Sequence, residues 1–305
     1  MEVLVTGIGG YLGSRLAPRL QREGHRVRGL RRDAILTAPP GVMLVSGDAV
    51  SGAGLERALD GIDVAYFLIH SMERSTDGAF ELRERAAADN FARAAAGAGV
   101  KRIVYLGGLV PARGPVSRHL TSRLAVEQIL LAATPGSVAF RASIVIGAGS
   151  RSFRFLVRLV ERLPVLAVPA WRTRRTRPID ERDVVELLAR AAGHEQIDGM
   201  SLDLGGPDTV TYGELIDRIR ELMLIDRPTI GFSRLTVNPI ASRLASLVAG
   251  EEYELVGPLM ESLGEDLLPR DDRAAQLLGV RLHSLDRAIE HALAEWEATE
   301  PLAAR

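Results

Sequence analysis

The stretch VLVTGIGGYLGSRL, residues 3–16, places Gly7, Gly9, Gly10 and Gly13 directly after an apolar run. Val3, Leu4 and Val5 read as a buried strand, and Leu12, Leu16 and Leu20 recur at helical spacing. The glycines therefore sit on a strand-to-helix turn. There they permit a tight bend, close approach of the backbone to a ligand, and close packing of helix on strand. The helix N-terminus that follows presents unpaired N–H groups and a partial positive charge, which suits a diphosphate. With a strand before it and a helix after it, the turn implies an α/β chain that binds a dinucleotide.

The remaining elements extend that frame. HRVRGLRR (25–32) reads as a second strand, VMLVSGD (42–48) as a third and DVAYFLIH (63–70) as a fourth. The Ala-rich stretch 77–98 reads as a helix, KRIVYLGG (101–108) as a fifth strand, and 117–133 as a helix. SVAFRASIVIG (137–147) holds a sixth strand. Short apolar strands alternating with helices imply a parallel sheet, with the expected order 3-2-1-4-5-6 and a ligand crevice at the strands' carboxyl ends.

Past residue 150 the pattern changes. SFRFLVRLVERL (152–163) is an amphipathic helix with Phe155, Leu156, Leu159 and Leu163 on one face. RPIDERDVVELLARAA (177–192) reads as an extended entry into a helix. Residues 200–222 suggest strand, turn and a helix capped by Thr211, with Glu214 at the capping-box offset. The expected fold is α/β: a Rossmann-type, doubly wound parallel sheet over residues 1–150. A smaller, mainly helical C-terminal cap or substrate region covers 151–305, of which 177–205 returns to the sheet.

Composition excludes more than it selects. The chain of 305 residues carries a net charge of −1, which gives no general attraction to nucleic acid or anionic lipid. It has no cysteine, so thiolate catalysis and thiolate metal sites are absent, and its six histidines are dispersed. No apolar stretch approaches the roughly 20 residues of a membrane span. A cytoplasmic protein acting on a small molecule is expected. WRTRRTR (171–177) reads as a solvated or ion-paired loop, with an anion clamp as the second reading.

The segments TGIGGYLG, GDAV, YFLIHSM, GVKRIVYLGGL, FRASIVIGAGS and RPIDERDV follow one another in a familiar order and spacing. In these the chain resembles the short-chain dehydrogenase/reductase proteins, over nearly its whole length and most strongly to about residue 210. More narrowly, it is similar to the atypical branch of NmrA-like regulators and complex I accessory-subunit-like proteins. FLIHSM, IVIGAGS and the Trp followed by arginines before RPI point to a bacterial, YbjT-like group known mainly for NAD(P) binding. The resemblance implies a Rossmann-type fold with NAD(P) bound. It supplies no substrate.

It also implies site residues. Gly7, Gly10 and Gly13 match the family's Gly-x-x-Gly-x-x-Gly, so the backbone from Ile8 to Leu12, Tyr11 included, would cradle the pyrophosphate. NAD-preferring relatives end the second strand on an acidic residue; here Arg31 and Arg32 stand there. A guanidinium pairs with a 2′-phosphate in forked geometry, so NADP is expected over NAD. Asp48 matches the residue that meets the adenine amino group, with Ala49 beside it, although a turn-forming Asp fits as well. Leu68 and His70 match the ribose region, Gly107 lies at the end of the fifth strand, and Ser143 and Ile144 match the segment beside the nicotinamide. Asn90 matches a helix Asn of the family, and helix packing explains it equally well.

The standard catalytic equipment is missing. Orthodox relatives reduce carbonyls with a Tyr-x-x-x-Lys pair and a Ser after the fifth strand. Here His119 replaces the Tyr, Arg123 replaces the Lys, and Gly107–Gly108 offer no hydroxyl. The chain's one lysine, Lys101, lies at the wrong end of that strand. Two readings stay open. In one, His119 or His70 handles the proton and Arg123 holds the ribose, giving an NADPH-dependent reductase or isomerase with altered chemistry. In the other, the chain is a non-catalytic NADP(H)-binding redox sensor or complex-assembly protein. The apolar helix 121–133 serves either a homodimer contact or the core.

Overall fold

The computed structural model describes residues 1–32, 39–69, 80–112, 116–162, 166–168, 170–225, 229–231, 265–300 and 302. Strand β1 (Glu2–Thr6) leads into α1 (Tyr11–Arg22), β2 (Arg26–Arg31) and β3 (Val42–Ser46). Helix α2 (Leu55–Leu59), β4 (Val64–Phe67), α3 (Phe80–Gly97), β5 (Arg102–Gly108), α4 (Arg118–Ala133) and β6 (Val138–Ala142) follow. β1 lies between β2 and β4: Val3 is in register with Val27 on one side and Val64 on the other. Together with β11 (Ser201–Leu204) these strands form one seven-stranded sheet, in the order β3-β2-β1-β4-β5-β6-β11. Every pairing in it is parallel.

Both faces of the sheet are covered, which is why its strands read as unbroken apolar runs. Val3 and Val5 pack with Leu16 and Leu20 of α1, and with Val184 and Leu187 of α6 (Glu181–Arg190). Leu4 points the other way, into a core with Leu55, Phe91 and Val126 from α2, α3 and α4. Each such side chain, removed from water, contributes roughly 1.5–3 kcal/mol. From β1 the chain winds outward to β3, then returns to β4. This reversal opens the crevice past Thr6 and Phe67, and the Thr6 hydroxyl accepts the Leu68 N–H at 2.9 Å across it.

The sixth strand is shorter than its sequence suggests. After Ala142 the Ser143 N–H donates to Leu204 of β11, and Val145–Ile146 leave as β7 to pair with β10 (Ile179–Asp180). Beyond lie α5 (Arg151–Arg162), β8 (Leu166–Val168), β9 (Arg175–Thr176), β12 (Val210–Thr211), α7 (Tyr212–Leu222) and β13 (Thr229–Gly231). Helices α8 (Arg273–Leu277) and α9 (Leu285–Glu297) close the described chain. α5, α7 and α9 enclose a third core around Phe153, Phe155, Ile216, Ile289 and Trp296.

Candidate dinucleotide-binding site

The glycine turn is built for close approach. Gly7 has φ +65°, a left-handed conformation, and its carbonyl accepts the Gly10 N–H at 2.8 Å. A side chain on Gly13 would strike that same carbonyl, so α1 can start this close to β1 only on glycine. Gly10 is the N-cap of α1, no side chain caps it, and the first turn carries no acidic residue. Gly9 and Gly10 are exposed. The positive end of the helix thus faces the crevice with its N–H groups uncompensated by side chains, as a diphosphate requires.

At the adenosine end, the Arg31 guanidinium lies over Gly9: a Cβ built there would sit 3.3 Å from its central carbon. Arg32 is exposed, and its carbonyl accepts from Ser46 Oγ at 3.2 Å. Asp48 uses one carboxylate oxygen to accept the Val50 N–H at 2.9 Å, and Ala49 is buried. Asn90 reaches over from α3 and donates to the carbonyls of Ala49 and Val50, at 3.2 and 2.8 Å. The helix Asn therefore fixes the loop that follows β3.

At the other end, Leu68 and Gly107 sit at the carboxyl ends of β4 and β5, and Ser143 and Ile144 follow β6. Ser143 is buried, with its hydroxyl 3.0 Å from that of Thr176. His70 lies outside the described residues. His119 is in the first turn of α4; burial, and then the neighbouring Arg123 charge, lower its pKa from 6.5 to about 4. Arg123 is buried against Glu84, with Nε 3.7 Å from Oε1. Glu84 also accepts from Ser122 Oγ at 2.6 Å. The guanidinium expected at the ribose is thus engaged with a carboxylate on α3.

The sequence pattern did not reveal Glu84 or Glu181, because each meets its partner across dozens of residues. Tyr11 donates its hydroxyl to Glu181. Burial, and then the Glu181 charge, raise the Tyr11 pKa strongly, so the phenol remains a donor. Arg15 donates from Nε to Glu181 at 2.7 Å and from Nη2 to Glu295 on α9. Its guanidinium lies 4.6 Å above the Tyr11 ring. Glu181, His291 and Glu295 bring ligand atoms within 4.8 Å of one another, but Arg15 already supplies the cation there. In the arginine-rich segment, Arg175 pairs with Asp266 and Arg177 with Asp272, both at 2.8 Å. Arg172 and Arg174 are exposed.

Residues 7–133 match a family model described as NAD(P)H-binding. The ceramide reductase of Caulobacter vibrioides is 26% identical over 275 residues, spanning 88% of this chain and 86% of that protein. MoeE5, solved in complex with UDP-glucuronic acid and NAD, superposes with a TM-score of 0.74 at 22% identity, over 98% of this chain and 99% of that one. The UDP-glucose 4-epimerase of Thermotoga maritima, solved with UDP-glucose, gives 0.75 at 14% identity, over 98% and 99%. The two solved structures share the fold. Among the described residues, no helix is long and apolar enough to cross a membrane.

Proposed function

We propose that the chain is an NAD(P)-binding protein of short-chain dehydrogenase/reductase type that binds NADPH in preference to NADH and serves as an oxidoreductase on a small organic substrate. The Arg31 guanidinium over Gly9 carries the cofactor choice. It stands at the lip of the diphosphate turn, where the second strand ends, and no carboxylate among the described residues pairs with it. A 2′-phosphate there would meet a forked donor, with Arg32 beside it. Gly7, Gly10, Leu12 and Gly13 would shape the diphosphate cradle, and Tyr11 would open its helix. Asp48 and Ala49 would meet the adenine; Leu68, His70 and Gly107 would line the ribose; Ser143 and Ile144 would flank the nicotinamide. Bound NADPH supplies a hydride, while His119 or His70 would hold the proton that the reduced oxygen needs. The reductase direction draws support from the long relative named as a ceramide reductase. The same reading makes the protein cytoplasmic, with no nucleic-acid partner, and compatible with a homodimer.

One observation favours a second reading. Arg123 is held by Glu84 and His119 is neutral at pH 7, which suits a non-catalytic NADP(H)-binding sensor or assembly protein. Calorimetric titration with NADPH and NADH tests the cofactor choice. Wild type is expected to prefer NADPH, and Arg31→Ala to lose about tenfold or more of that affinity while NADH binding stays constant. Equal affinities in wild type would overturn the NADP assignment. NADPH oxidation across a panel of ketones, enones and quinones separates the readings, because binding without any turnover selects the sensor.

A further inference from the structure

We propose that Glu181 is a positioning residue for the cofactor: through Tyr11 and Arg15 it sets the first turn of α1 and ties that turn to helix α9. The proposal rests on the NADP(H) reading above. Tyr11 and Arg15 stand one turn apart at the start of the helix whose amides face the diphosphate. Both donate to Glu181, a buried carboxylate at the start of α6, so one group holds two points of that turn. Arg15 continues the link to Glu295 on α9, which packs in the third core with α5 and α7.

The segment IVIGAGS explains how Tyr11 reaches this place. A Cβ on Gly147 would collide with both the Tyr11 hydroxyl and the Glu181 carboxylate. A Cβ on Gly149 would stand 2.5 Å from the Tyr11 ring. Two glycines of a distant loop therefore leave the groove in which the phenol lies. Core filling alone does not call for this arrangement. A buried carboxylate is costly unless paired, and here its partners are two residues one turn apart at the start of α1.

The test uses the full chain and titration with NADPH and NADH. Tyr11→Phe keeps the ring in its groove and removes only the donor. It is expected to weaken both cofactors by roughly three- to tenfold, about the net value of one ordinary hydrogen bond. The NADPH-to-NADH ratio, set elsewhere by Arg31, should not move. Glu181→Ala should weaken binding at least as much, and Glu181→Gln, whose amide oxygen still accepts from the phenol, should restore part of it. A fall in melting temperature with both affinities unchanged would make the cluster purely structural and overturn the proposal. Failure of wild type to bind either cofactor would instead sink the NADP(H) reading on which it rests.

Discussion

The protonation of His119 is set by burial and by the Arg123 guanidinium one turn away. With a pKa near 4 in the folded chain and 6.5 as its ordinary value, the unfolded chain binds more protons between those limits. Stability contributed by the neutral imidazole is full above about pH 6.5 and falls away as pH drops towards 4. Denaturant unfolding of wild type and His119→Gln at several pH values should show this slope in their difference; parallel curves would mean His119 titrates normally. If His119 is also the acid of a reductase, kcat/KM should rise about tenfold per unit as pH falls from 7 towards 5. The glycines were legible because their conformations are demanded locally. Glu84 and Glu181 were not, because nothing near them in the chain names Arg123 or Tyr11 as a partner.

At the scale of elements, patterns with a local cause could be read. Thr211 caps α7 as its spacing to Glu214 implies, with reciprocal bonds of 3.1 and 2.7 Å. Apolar runs buried on both faces gave the strands, and the reversal at β1 gave their order. The break between β6 and β7 was not legible, since it is made by distant partners: the Ser143 N–H donates to Leu204 of β11, while the next carbonyl, of Ile144, accepts from Ile179 of β10. Pro18 goes further against local rules, since it lies inside α1. It offers no N–H to the carbonyl four residues earlier, and its ring crowds that carbonyl. The helix tolerates it because Leu16, Ala17 and Leu20 bury its inner face while Pro18 is exposed. Pro18→Ala is expected to stabilise the protein by about 1–3 kcal/mol in urea denaturation. No gain would mean that α1 is bent to suit the proline.

For the whole molecule, the question is whether the sheet with its two cores and the third core under α5, α7 and α9 unfold together. Their sequences gave separate signals, a strand–helix alternation and then amphipathic helices, and neither signal reports how the parts are joined. The structure joins them through charge. Besides Arg15 to Glu295, the His283 ring, just ahead of α9, meets Asp183 of α6 at 2.6 Å. Trp296 is fully buried in the third core and stacks under Arg154 and Arg158 at 4.3 and 4.9 Å, so its fluorescence reports that core once Trp171 is replaced by Phe. Far-UV circular dichroism reports the whole chain. A single coupled unit requires the two signals to melt at one temperature. It also requires NADPH at one hundred times its Kd to shift both, since that excess adds about 2.7 kcal/mol to any unit that unfolds with the site. If the Trp296 signal were lost first, at a temperature NADPH does not move, the C-terminal core would stand alone. The charged links would then hold the parts in place without making them cooperative.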